Sequence, residues 1–127
     1  MGQALRVIAI LDDEEAYRCA LSRLLKAHGY DAVSFSAGQQ LIAETARRRF
    51  DCVLLDLHMP GMTGFDVLET LRAMPAAPPV IVITAHDEPE CVQRARALNA
   101  FECQIKPVAS PVLLGAIERA CARSAGN

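Results

Sequence analysis

The run Cys52-Val53-Leu54-Leu55-Asp56 decides how this chain is read: an unbroken apolar stretch, with Asp51 before it, that closes on a carboxylate. A strand so uniformly apolar is buried on both faces, the condition of a central strand in a covered parallel sheet. Working outward, comparable runs lie at Leu5 to Leu11, Ala32 to Phe35, Val80 to Ile83 and Cys103 to Ile105, which predicts five strands in all.

Segments of helical period separate them. Tyr17, Ala20, Leu21, Leu24 and Leu25 form one stripe, which Gly29 should stop; Leu41, Ile42, Thr45 and Ala46 form a second. Val67, Leu68, Leu71 and Met74 form a third, ended by Pro75, Pro78 and Pro79, and Val92, Ala95 and Leu98 a weaker fourth. Leu113, Leu114, Ile117 and Cys121 mark the fifth, with Ser110 predicted as its N-cap and Pro111 as its first helical residue. Strict alternation of strands and helices predicts a doubly wound α/β domain with helices on both faces of the sheet. It should occupy residues 1–123, with 124–127 as a tail or boundary.

Composition sets the limits. Of 127 residues, 52% are hydrophobic and 22% charged, which suits one soluble globular domain. A net charge of -2 gives no electrostatic basis for gripping a nucleic-acid backbone. The basic run Arg47-Arg48-Arg49 reads as a solvated helix end. No apolar stretch approaches the ~18 residues of a membrane span, and the first residues lack the pattern of a signal peptide, so a cytoplasmic location is expected. The five cysteines, Cys19, Cys52, Cys91, Cys103 and Cys121, are scattered without metal-finger spacing and read as reduced, packed thiols.

In an open parallel sheet, ligands bind beyond the carboxyl ends of the strands. The residues there are Asp12 and Asp13 after the first strand, Asp56 after the third, Thr84 after the fourth and Lys106, followed by Pro107, after the fifth. Each has an ordinary reading by itself; Asp12 or Asp13, for instance, would serve as a helix cap, with Glu14 and Glu15 complementing the dipole. Taken together they define chemistry. If the first and third strands are neighbours, three carboxylates crowd together and repel by about a kcal/mol or more per pair. A hard cation relieves that, and magnesium is the ion usually held by a few carboxylates, waters and a phosphate. A carboxylate is also a nucleophile towards phosphorus, and Asp56, at the tip of the central strand, is best placed to form an aspartyl phosphate. Lys106 would neutralise a phosphoryl oxygen, and the Thr84 hydroxyl would donate to another.

The segments Asp12-Asp13-Glu14, Val53 through Gly64 (VLLDLHMPGMTG), Val82-Ile83-Thr84-Ala85 and Lys106-Pro107 resemble the receiver domains of bacterial two-component response regulators. The resemblance runs over nearly the whole chain. It implies a flavodoxin-like sheet of strand order 2-1-3-4-5, with Asp56 as phosphoacceptor. It assigns Asp12, Asp13, Asp56 and the backbone carbonyl of His58 as magnesium ligands, Thr84 as switch hydroxyl and Lys106 as phosphate partner. It also implies a histidine kinase or histidine phosphotransferase as phosphoryl donor, slow self-hydrolysis rather than enzymatic turnover, and a candidate cis peptide at Lys106-Pro107. A homodimer through the fourth helix, fifth strand and fifth helix is a further expectation of this kind.

Three positions stand out against the family pattern. Cys103 occupies a site where relatives usually carry Tyr or Phe, so ring rotation should give way to backbone movement around strand four, helix four and strand five. His58 and His86, two residues after Asp56 and Thr84, lie where relatives influence the lifetime of the phosphoryl group. Asn99 stands where Gly is frequent, and Asn tolerates left-handed geometry. Other functions fit less well. An aspartyl phosphohydrolase typically carries a second acid two residues beyond its nucleophile, where this chain has His58; a dinucleotide fold needs a Gly-rich first turn, where it has Asp-Asp-Glu-Glu. A phosphorylation-independent docking module is the alternative that survives.

Overall fold

Three strands with no exposed residue among them, apart from one half-buried start, form the middle of the fold: β1 (Val7–Leu11), β3 (Cys52–Leu55) and β4 (Val80–Thr84). β2 (Asp31–Phe35) and β5 (Glu102–Ile105) flank them with partly exposed residues. The computed structural model describes residues 5–85 and 88–125. Its five strands are all parallel in the order β2-β1-β3-β4-β5, as expected from the sequence. Ile8 is level with both Ala32 and Cys52, Val53 with Val80, and Ile81 with Glu102.

Crossover helices α1 (Glu15–Ala27), α2 (Gly38–Thr45), α3 (Gly64–Arg72), α4 (Pro89–Ala97) and α5 (Ser110–Ala125) cover both faces. Because side chains alternate along a strand, the sheet divides the interior into two cores. Leu11, Val53, Leu55 and Val82 pack with Leu41, Leu68, Leu71 and Ala95 from α2, α3 and α4. Ile8, Ile10, Leu54 and Ile83 pack with Leu21, Leu25, Leu113, Ile117 and Ala120 from α1 and α5. A fully buried Leu or Ile side chain contributes roughly 1.5–3 kcal/mol, so these layers supply most of the driving force for folding.

Local signals explain the helix ends. α1 stops at Gly29, whose φ of 86° an L-residue rarely adopts, while Tyr30 N–H returns to the Leu25 carbonyl at 3.0 Å. α4 ends in the same manner at Asn99, φ 69°, as its identity suggested. Thr63 and Asp66 form a reciprocal capping box that fixes the start of α3. The Lys106-Pro107 peptide is cis.

Several expectations need correction. β1 starts at Val7, whose N–H is taken by the Asp51 carboxylate at 2.8 Å, and Leu5 lies outside it, exposed. Ala20 and Ala46 are exposed, so the buried faces of α1 and α2 are narrower than the apolar stripes suggested. Ser110 is the first helical residue rather than the cap, because the Ala109 carbonyl already accepts from Leu113 N–H at 3.1 Å. α5 continues to Ala125, into the segment read as a tail, and Arg49 donates to both the carbonyl and hydroxyl of Ser124.

Candidate functional site

At its carboxyl end the β1-β3 ladder continues past β3: Asp56 N–H donates to the Leu11 carbonyl at 3.0 Å. That bond sets Asp56 beside Asp12, the first residue after Leu11. On the other side of β1, Asp12 N–H donates to the Phe35 carbonyl at 3.3 Å. Both carboxylates are buried, Asp12 at 3% and Asp56 at 8% exposure, whereas Asp13 is open to solvent. Each of the three can present an oxygen within 4.8 Å of the others.

Hydrogen bonds orient this group. Asp12 Oδ1 accepts from Glu14 N–H at 2.9 Å, and Asp56 Oδ1 accepts from His58 N–H at 3.3 Å. Lys106 enters from the end of β5, where its N–H donates to the Thr84 carbonyl at 2.7 Å. Its Nζ lies 2.9 Å from Asp12 Oδ2 and 3.7 Å from Asp56 Oδ2. Thr84 is the last residue of β4 and fully buried. Asp12, Asp13, Asp56, Thr84 and Lys106 thus meet at one edge of the sheet. His58 is joined to them through its amide; His86 lies outside the described residues.

Electrostatics follow from this crowding. Burial pushes the Asp56 carboxyl up from its ordinary value, and the negative charges of Asp12 and Asp13 add to the rise; the His58 amide and Lys106 oppose it. Burial pulls Lys106 down, but its hydrogen bond to Asp12 and the charge of Asp56 prevail and hold it above the ordinary lysine range. Three carboxylates against one ammonium leave a net negative, all-oxygen site. That donor set fits a hard divalent cation with open positions for water and a phosphate oxygen.

Three residues contribute in ways the sequence reading did not assign, although Gly64 closed one of the quoted segments. Tyr17, assigned to the core stripe of α1, is half-buried and lies under Lys106, whose Nζ stands 4.1 Å from the ring centroid. Arg18 Nη1 donates to the Asp12 carbonyl at 2.8 Å. Gly64 backs against β3: its N–H donates to the Leu57 carbonyl at 2.9 Å, and a Cβ there would overlap the Asp56 carbonyl oxygen and Leu57 Cα.

The sheet order, the acidic edge and the lysine opposite define a class of domain, and comparison with known proteins agrees. The model of the response regulator receiver domain matches residues 8–118, and the chain belongs to that family. It is 37% identical over 109 residues to the sensory/regulatory protein RpfC of Xanthomonas campestris, spanning 83% of this chain and 15% of RpfC. It is 36% identical over 120 residues to the sensory transduction protein RegX3 of Mycolicibacterium smegmatis, spanning 94% of this chain and 52% of RegX3. The chain therefore spans about half or less of the length of these relatives. The solved structure of the chemotaxis response regulator CheY4 of Vibrio cholerae superposes with a TM-score of 0.84 at 27% identity, covering 92% of this chain and 99% of that one.

Proposed function

We propose that this chain is a phosphoacceptor switch that receives a phosphoryl group on Asp56, with magnesium, from a phosphohistidine of a histidine kinase or histidine phosphotransferase. The observation that carries this reading is the position of Asp56: a buried nucleophile with a second carboxylate beside it, a third within 4.8 Å and an ammonium 3.7 Å away. In the transfer, an Asp56 carboxylate oxygen attacks phosphorus, the phosphorus-nitrogen bond of the donor breaks, and the leaving imidazole keeps the bond pair and takes a proton. Bound magnesium would neutralise charge on the transferring group, with Asp12, Asp13, Asp56 and the His58 carbonyl as its ligands. Lys106 is within reach to balance a second oxygen, and the Thr84 hydroxyl to turn towards a third.

Family membership makes this a signalling module rather than a classical enzyme, and His58 at the second position after Asp56 offers no acid for hydrolytic turnover. Slow loss of the phosphoryl group by attack of water completes the cycle. No helix among the described residues is long and apolar enough to cross a membrane, which accords with a cytoplasmic role. Residues 1–123, together with the end of α5 that continues to Ala125, would form the receiver, its output passing to a partner surface or through a homodimer. Intact mass after incubation with magnesium and acetyl phosphate tests the proposal. One phosphate should be gained by the parent chain, lost without magnesium and absent in Asp56→Asn. No gain in the parent would instead favour phosphorylation-independent docking.

A further inference from the structure

The opposite edge of the sheet has the opposite charge. A cleft of about 450 Å³ opens there, beside Phe50 and Val80 at the beginnings of β3 and β4. Asp56 and Thr84 stand at the far ends of the same strands, so this cleft is separate from the acidic site. Its volume lies within the usual range of small-molecule sites.

Four arginines line it, Arg48, Arg49, Arg72 and Arg123, and no acidic residue does. Arg48 and Arg49 approach the carboxylates of Glu44 and Asp51 only to 4.0 Å; Arg48 lies over the Phe50 ring, and Arg49 donates from one nitrogen to the Ser124 carbonyl and hydroxyl. Among the described residues, Arg72 and Arg123 have no ion pair: Arg72 makes one long bond of 3.5 Å to the Ala97 carbonyl, and Arg123 lies over the Phe101 ring. Each guanidinium has five N–H donors in a planar fork that matches phosphate oxygens. Attraction to helix carbonyl ends accounts for Arg72 and Arg123, which stand in the last turns of α3 and α5. It extends to Arg48, whose N–H donates to the Glu44 carbonyl at 3.0 Å in the turn after α2, but it does not account for four arginines meeting in one cleft without an acidic residue. The remaining wall is apolar, formed largely by the segment Pro75 to Pro79, where Ala76 is held at a φ of 54°.

We infer that this cleft binds a small organic polyphosphate of the nucleoside di- or triphosphate class, with phosphates among the arginines and the base or sugar against the proline-rich wall. A cationic floor beside an apolar wall suits a ligand that is charged at one end and flat and apolar at the other. The proposal does not depend on phosphoryl transfer to Asp56.

The test is titration of the isotope-labelled full chain with ATP, tripolyphosphate and adenosine at about 0.15 M salt, followed by amide NMR and calorimetry. ATP should bind saturably with Kd below about 1 mM, shift amides of residues 45–50, 72–80 and 98–99, and bind Asp56→Asn equally well. Arg48→Gln with Arg72→Gln should weaken it about tenfold or more and leave phosphorylation by acetyl phosphate unchanged; the spectrum reports folding. If the double variant does not fold, Arg72→Gln alone, an exposed change, should still weaken binding severalfold. Absence of saturable ATP binding, equal affinity in the folded variants, or shifts centred on Asp12 and Asp56 would overturn the site. Tripolyphosphate binding as tightly as ATP would overturn the nucleoside assignment.

Discussion

Lys106 Nζ lies closer to Asp12, at 2.9 Å, than to Asp56, at 3.7 Å. The ammonium therefore partly neutralises a carboxylate that a divalent cation would also use. Lys106→Met should raise magnesium affinity severalfold, since removing a unit charge a few ångströms from the ion shifts binding on the order of 1 kcal/mol, while slowing phosphorylation by acetyl phosphate. Calorimetric titration with magnesium decides it; weaker metal binding would mean that Lys106 organises the carboxylates more than it competes for them.

Asp56 is held above its ordinary 3.8, first by burial and then by Asp12 and Asp13. A carboxyl whose folded value exceeds its unfolded value destabilises the fold when ionised, and the penalty fades as pH falls through the folded value towards the unfolded one. Asp56→Asn should therefore melt higher than the parent at pH 7 without metal, and the difference should shrink as pH falls through the raised folded value and vanish below the ordinary 3.8. Saturating magnesium should stabilise the parent more than the variant. Equal melting temperatures at pH 7 would show that Lys106 already compensates the acidic cluster.

Gly64 and Gly115 make a controlled pair. A methyl group at Gly64 meets the backbone of Asp56 and Leu57, whereas at Gly115 in α5 it meets only the Arg119 guanidinium, at 3.5 Å. Gly64→Ala should cost about 1–3 kcal/mol and slow phosphorylation by displacing Asp56. Gly115→Ala should stabilise by up to about 1 kcal/mol with phosphorylation unchanged. Urea melts of both variants, read beside acetyl phosphate kinetics, check the contrast; a tolerated Gly64→Ala would show that the loop after β3 has slack.

Cys103 is half-buried at the edge of the α2-α3-α4 core, where burial keeps its thiol protonated. Phe101 packs into the other core beneath Arg123, so it does not take over a ring at the Cys103 position. Phosphorylation-dependent amide shifts should be closely similar in the parent and Cys103→Tyr. A much larger set of shifts in the Tyr variant would show that ring rotation couples this site to its surface after all.

What the sequence made legible follows from physical locality. Asp12, Asp56, Thr84 and Lys106 were identifiable because strand tips in a parallel sheet converge, and the apolar runs marked those tips. Tyr17, Arg18 and Gly64 were harder, since their roles depend on approaches between elements distant in sequence: a ring under Lys106, a guanidinium on the Asp12 carbonyl, a helix start against β3. Ala20 and Ala46 misled because a small apolar side chain loses little by facing water. The arginines of the second cleft read as separate helix-end charges until the fold brought Arg48 and Arg49 to Arg72 and Arg123.

The two cores meet only across the sheet backbone, with Leu25 and Ile117 in one and Leu68 and Leu71 in the other. Side chains that never touch can vary independently, so the free-energy changes of Leu25→Ala and Leu68→Ala should add. Over evolutionary time each layer can drift in composition without compensation from the other, and lineages can remodel one helical face while inheriting the other intact. The residues at the strand tips have no such freedom, because Asp12, Asp56 and Lys106 are held to one another across the sheet.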